Sequence, residues 1–209
     1  MNLSSLLPSL RALPGYAGTR AALREEIAAP ISLDLMRSAR PPMLAALTQD
    51  RAATGPTLLV AARRDRALAL AEELAAWSPD TTILSFAEPG PLFYESSAWG
   101  PRTIRSRLAV LAALAANVTP NYRRPASAHP VIVASARGLM SLTLPPRDFI
   151  ASTRALKAGQ DIRLEKQLET WVGAGYVAST VVVEPGQFSR RGGIIDIWPP
   201  SEVAPVRIE

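Results

Sequence analysis

Glu184-Pro185-Gly186-Gln187-Phe188-Ser189-Arg190-Arg191-Gly192-Gly193-Ile194-Ile195-Asp196-Ile197-Trp198-Pro199-Pro200 holds two turn signals, an arginine pair and an apolar strand in one short stretch. Pro185-Gly186 has the composition of a type II turn, because proline presets the first central dihedral and glycine takes the positive one after it. A hairpin is predicted around it. The β-branched residues between Val177 and Val183 supply the incoming strand, and the outgoing strand resumes at Ile194 once Gly192-Gly193 has allowed a bulge or a tight bend. Arg190 and Arg191 then sit on a stiff corner, where a guanidinium has little freedom left to lose on meeting a partner's carboxylate. The alternative is that both are solvated charges that discourage pairing at a sheet edge. On residue chemistry alone this second reading is the stronger.

Upstream of that stretch, Pro145-Pro146 marks a change of pattern. Before it, short continuous apolar runs at Thr57 to Ala61, Thr82 to Phe86 and Val131 to Ser135 have the character of strands buried on both faces. Helical spacings separate them. An apolar opening from Leu3 to Leu13 is interrupted by Pro8 and closed by Pro14-Gly15. Thr19 is placed to cap a helix ending by Pro30, and Pro41-Pro42 to start a helix through Leu47. Asp65 is placed to cap a helix with Leu68, Ala71, Leu74 and Trp77 on one face, and Ile104, Leu108, Leu111 and Ala115 align on another. Strands alternating with helices imply a parallel sheet in a three-layer α/β domain over 1–144. Beyond the prolines, Phe149 to Leu156 alternates, a helix runs from about Ile162 to Ala174, and Gly175 closes it in the left-handed conformation. Residues 145–209 are therefore expected to form a smaller α+β domain. Its last strand, Val206 to Glu209, has no closing element, which reads as the amino-terminal fragment of a longer protein.

Composition excludes several chemistries. The 209 residues contain no cysteine and a single histidine, His129, which removes thiolate metal sites, cysteine nucleophiles and a histidine-rich metal centre and makes a serine–histidine triad improbable. No run of about 18 apolar residues is present to span a bilayer, and no basic flank precedes the first apolar residues. A soluble, cytoplasmic protein without membrane contact is expected. The net charge of +5 comes almost wholly from arginine, which favours anionic partners. These arginines are scattered along the whole chain, and no basic stripe interleaved with aromatics is seen.

An α/β domain invites a search for a phosphate-binding loop, and none is written. Such a loop needs a glycine-rich turn ending in Gly-Lys-Ser or Gly-Lys-Thr. Gly15 to Arg20 has no lysine and no preceding strand, and Ser38-Ala39-Arg40-Pro41-Pro42 has no glycine. No Asp-Glu pair ends a buried strand to hold magnesium, and Glu72-Glu73 falls in mid-helix. The expectation is a non-catalytic chain with no cofactor and no metal. Among the aromatics, Trp198 reads as a core plug rather than a partner's anchor. Phe93, Tyr94 and Trp99 read as packing of a long loop, since Glu88 and Glu95 oppose phosphate contact.

Together with Gly175-Tyr176, the opening stretch resembles the second domain of the nucleotide-excision-repair protein UvrB and the amino-terminal module of the bacterial transcription-repair coupling factor. Matching features continue upstream at Thr57 to Ala61, Phe93-Tyr94-Glu95, Arg107-Leu108, Val131 to Leu142 and Leu144-Pro145-Pro146, whereas the first 55 residues match loosely. The coupling factor's module lacks the phosphate-binding loop that UvrB keeps, which agrees with the failed search. The resemblance implies a degenerate nucleotide-binding-like α/β domain over 1–144 and a UvrA-interaction domain, incomplete at its end, over 145–209. It implies UvrA as protein partner, with DNA and RNA polymerase engaged through domains not represented here.

Residue by residue, the family's arginine before the hairpin glycine falls on Arg191 and its arginine in the next strand on Arg207. Arg190 joins them as a candidate UvrA contact. A family phenylalanine would lie past Glu209, and the basic residue that follows Gly-Tyr in the family is replaced here by Val177-Ala178-Ser179. Arg207 has a structural alternative: if the connection around Ser201-Glu202 makes an antiparallel pair, Arg207 falls opposite Asp196 and a cross-strand ion pair is expected instead. The rival functions are a UvrB-like ATP-dependent helicase-fold repair protein and a basic nucleic-acid-binding domain.

Overall fold

The structure is a computed structural model that describes residues 2–24, 30–50, 55–92, 94–118, 129–153 and 156–209. The chain divides into two compact units, residues 1–89 with 124–141 and residues 90–123 with 142–209. The second unit thus re-enters close to the Pro145-Pro146 boundary and also takes in 90–123, a segment grouped by sequence with the first domain.

The first unit contains α1 (Leu7–Arg11), α2 (Pro14–Arg24), α3 (Arg40–Asp50), β1 (Thr57–Ala61), α4 (Arg64–Trp77), β2 (Ile83–Phe86), β3 (Val131–Ser135) and the short α6 (Ala136–Met140). Its sheet is parallel in the order β1-β3-β2, with Thr57 and Ile83 both in register with Val131. β3 is central and buried at every residue. β1 is at the edge, and Leu58 and Val60 stand 52% and 53% exposed, so burial on both faces holds for the central strand and not for its neighbour. Leu59, Val131 and Val133 point the other way, into a core with Leu7, Tyr16, Ala45, Ala46, Leu70 and Leu74 from the helices. The tyrosine hydroxyl donates to Asp50 at 2.7 Å, which satisfies the one polar atom that this side chain carries into the core.

Several helix details differ from the sequence reading. Thr19 is inside α2, which Pro14 opens, and its hydroxyl donates back to the Gly15 carbonyl instead of capping. Asp65 lies in the first turn of α4 rather than at its cap, where it pairs with Arg63 at 3.1 Å. The buried stripe of α4 is Ala67, Leu70 and Leu74, leaving Leu68 half exposed. Helical periodicity found the helix, but neighbouring stripes of a leucine- and alanine-rich sequence are nearly equivalent in hydropathy.

The second unit holds α5 (Pro101–Val118), α7 (Pro146–Ser152), α8 (Leu164–Gly173), β4 (Val177–Ala178), β5 (Gln187–Arg191), β6 (Ile194–Ile197) and β7 (Val206–Ile208). The alternation seen from Phe149 is not a strand: Pro146 opens a helix, as its fixed φ and missing N–H allow. On α5 the buried positions are Arg107, Val110, Ala113 and Ala115, and Ile104 is exposed. α8 ends as expected, with Gly175 at φ +92°. The amide of Tyr176 donates to Trp171 and that of Gly175 to Val172, the paired bonds of a Schellman motif. Its usual hydrophobic contact is present too, the Trp171 and Tyr176 rings lying 6.3 Å apart.

The four-stranded sheet runs β4-β5-β6-β7. Here the predicted hairpin is corrected. Pro185-Gly186 does turn, with Gly186 at φ +88°, but β4 lies parallel to β5, so the chain must travel back between them through 180–185. The β-branched run Thr180 to Val183 belongs to this return loop. The hairpin is β5-β6, closed by Gly192-Gly193, with Arg191 opposite Ile194. Phe188, Ile195, Ile197 and Trp171 form its core, with Leu164, Leu168, Tyr176 and Ile208 packed around them. Among the described residues no helix is long and apolar enough to cross a membrane, and no cluster of metal-ligating side chains is found.

Candidate docking surface

Strand alternation sorts the three candidate arginines. On β5 the side chains of Phe188 and Arg190 point to the face covered by α8, and those of Ser189 and Arg191 to the opposite face. The antiparallel register aligns Ser189 with Asp196 and Asp196 with Arg207. Arg191, Asp196 and Arg207 therefore share one face, and Arg190 is on the other. Arg190 donates to the Gly192 carbonyl at 3.1 Å and lies 3.6 Å from Glu165 on α8. The two adjacent arginines are not one patch.

On the shared face, Asp196 is the hub. Arg207 grips it side-on, Nε to Oδ1 at 2.7 Å and Nη2 to Oδ2 at 3.0 Å, and Nη2 of Arg191 stands 3.9 Å from Oδ2. The cross-strand pair expected for Arg207 is thus formed. Hydrogen bonding to Arg207 holds the Asp196 carboxyl below its ordinary range, with the charges of Arg207 and Arg191 assisting, and the same bond raises the pKa of the Arg207 guanidinium. Both guanidiniums remain largely open to solvent, at 62% for Arg191 and 56% for Arg207, while the carboxylate between them is 18% exposed.

An open groove runs over this hub, walled by Val181, Val182, Pro205 and Val206. Val181 and Val182 come from the return loop, which is pinned by the Ser189 hydroxyl on the Thr180 carbonyl at 2.9 Å and by the Gln187 side chain accepting from the amides of Val183 and Glu184. The face is therefore a rigid, mixed surface of two cations, one shielded anion and apolar walls. Sequence reasoning identified Arg191 and Arg207 and paired Asp196 with the latter. It missed the groove, because reading 177–183 as a strand hid the loop that builds its wall.

The other candidates resolve differently. Trp198 is half buried, its indole donating to the Glu202 carbonyl at 3.1 Å with Arg105 over the ring, so it ties down its own loop rather than plugging the core. Trp99 receives the buried Arg107 guanidinium 4.8 Å from its ring centre, whereas Tyr94 is exposed. Phe93 falls outside the described residues. In the first unit, Ala62, Arg63, Arg64, Asp65, Glu88 and Arg137 line a second open groove at the carboxyl ends of the parallel strands, the usual ligand position in α/β sheets. There the Glu88 carboxylate accepts from the Ser135 hydroxyl at 2.6 Å and from Arg137 at 3.0 Å.

Residues 155–209 match the family described as the UvrB interaction domain, the segment that carries the whole β4–β7 sheet. The chain is similar to the transcription-repair-coupling factor of Bacillus subtilis, 28% identical over 192 residues covering 92% of this chain, and to that of Escherichia coli, 25% identical over 155 residues covering 74%. A Staphylococcus epidermidis transcription-repair-coupling factor is 52% identical over 54 residues, 26% of this chain. The chain spans 15%, 12% and 4% of the lengths of these relatives. Residues 155–209 are thus similar to UvrB interaction domains, and the chain is similar over most of its length to transcription-repair-coupling factors.

Proposed function

We propose that this chain is a non-catalytic adaptor that binds UvrA through the face formed by Arg191 and Arg207. The observation that carries the reading is the convergence of these two guanidiniums on one rigid face of the sheet within the matched segment. Planar forked donors held by strands match carboxylates well, since little side-chain order has to be gained on binding. Arg190, on the opposite face and engaged with its own hairpin, is removed from the docking set on this reading and kept as a structural residue. In the longer proteins that the chain resembles, the adaptor would bring UvrA to a stalled RNA polymerase on DNA, so that excision repair is recruited where transcription has stopped.

The test is calorimetric titration of purified UvrA into the chain and its variants. Arg191→Ala weakens binding by about 1–3 kcal/mol, the range for losing a charge-assisted hydrogen bond at an interface, with an unchanged melting temperature. Arg190→Ala leaves the affinity within about 0.5 kcal/mol of the parent, as for a residue outside the interface. Unchanged UvrA affinity in Arg191→Ala and Arg207→Ala alike would remove the docking reading.

A further inference from the structure

We infer that Asp196 is the positioning residue of this surface, aiming both guanidiniums at a carboxylate carried by the partner. The inference rests on the docking reading above and goes beyond it. An acidic side chain in the middle of a face meant for an acidic partner looks like a defect, because on Coulomb grounds alone it repels what the arginines attract. The geometry assigns it another part.

Arg207 uses only one edge of its guanidinium on Asp196. Side-on engagement takes Nε and one N–H of Nη2, which leaves the end-on edge, Nη1 with the other N–H of Nη2, facing away from the carboxylate. A second carboxylate can then be received without breaking the first pair. Arg191 sits diagonally across the hairpin, its Nη2 at 3.9 Å from the same Oδ2, too far for a hydrogen bond yet close enough to bias the orientation of a long side chain. One carboxylate thus restrains two arginines from different strands. The carboxylate is itself fixed, on a central strand of the sheet and only 18% exposed.

The charge count of the groove fits an acidic visitor. Two cations and one anion line the groove together with Val181, Val182, Pro205 and Val206; the Glu209 charge also acts on Arg207, so Arg191, 3.9 Å from the Asp196 carboxylate, is the less compensated of the two cations. A partner carboxylate seated between Arg191 and the end-on edge of Arg207 completes an alternating set of charges in which each guanidinium touches an anion on either side. Without Asp196 the arginines gain net attraction for the partner at long range, and each must be ordered from a solvated ensemble at the moment of binding.

The two accounts of Asp196 predict opposite signs, and the experiment uses that. UvrA affinity is measured by calorimetry at two salt concentrations for the parent chain, Asp196→Asn, Arg207→Lys and Arg191→Ala, with melting temperatures recorded alongside. If Asp196 positions the arginines, Asp196→Asn weakens binding by about tenfold although the face has become more positive. Arg207→Lys weakens it comparably, since a lysine keeps the charge and cannot hold two carboxylates on separate edges. The Arg207→Lys arm retains its meaning even where Asp196→Asn lowers stability. Binding that tightens or stays level in Asp196→Asn, with Arg191→Ala still impaired, overturns the positioning role and leaves the docking reading standing. Binding unaffected by Arg191→Ala and Arg207→Lys overturns the docking reading and this inference with it.

Discussion

At the scale of single residues, the Asp196 hub makes its own claim on stability. Its carboxyl titrates below the ordinary value of 3.8 because Arg207 is hydrogen-bonded to the ionised form. A folded-state pKa depressed in this way contributes stability that is complete above the unfolded value and is lost as the pH falls through the folded one. Acid titration from about pH 5 to about pH 2 therefore steepens unfolding of the parent relative to Asp196→Asn, in which no proton can be taken up at this site. Thermal melts across that window check it, and parallel curves for the two proteins would show that the pair adds nothing. This pair was legible in the sequence, because once the turn around Ser201-Glu202 is granted, a period of two places Arg207 opposite Asp196. The part played by Arg190 was not. Two adjacent arginines look like one patch until the strand is identified, and strand alternation then sends them to opposite faces.

Elements were read well where local chemistry decides them and poorly where the connection does. The Gly175 cap is a local event: a left-handed residue is needed after the last turn of α8, and glycine meets no steric penalty there. The two glycines at this helix end consequently predict opposite effects. Gly175→Ala at φ +92° costs roughly 1–2 kcal/mol, the penalty of a β-carbon in the left-handed region. Gly173→Ala, where an added β-carbon would have open space and ordinary helical backbone, stabilises by roughly 0.5–1 kcal/mol. Chemical denaturation of both variants tests the pair, and equal destabilisation would mean that the Schellman motif does not set the end of α8. Strand Val177 to Val183 shows the opposite case. Its composition suits a strand, but β4 and β5 run parallel, and a short parallel connection must spend those residues on the way back. Local propensity carries no record of that requirement, which is why the groove wall at Val181 and Val182 was hidden. The edge position of β1 was hidden for the same reason, since Leu58 and Val60 look as apolar as the buried residues of β3.

For the molecule as a whole, a three-stranded parallel sheet followed by a separate four-stranded mixed sheet agrees with the α/β reading of the sequence, and the first unit carries a groove at the usual ligand address of such sheets. In parallel α/β sheets ligands gather at the carboxyl ends of the strands, here the ends of β1, β2 and β3. A triphosphate at that address needs a glycine-rich loop between strand and helix, long enough for successive amides to wrap the phosphates. β1 ends at Ala61 and α4 begins at Arg64, so Ala62 and Arg63 are all that connect them, and β3 passes directly into α6. Neither junction has room for such a loop. The groove's acid compounds the misfit: the Glu88 carboxylate is only 11% exposed, with Arg137 and the Ser135 hydroxyl already committed to it, and its negative charge opposes a phosphate seated beside it. The chain is therefore expected to give no saturable heat with magnesium ATP in calorimetry at concentrations up to about 1 mM, a range that covers dissociation constants weaker than those of working nucleotide sites. Arg63 and Arg64 at the groove rim provide for weak, salt-sensitive attraction of any polyanion, so the titration is repeated with inorganic triphosphate and at raised salt. Heat that saturates at micromolar ATP, survives salt and is absent with triphosphate would overturn this expectation and restore a nucleotide-binding role to the first unit.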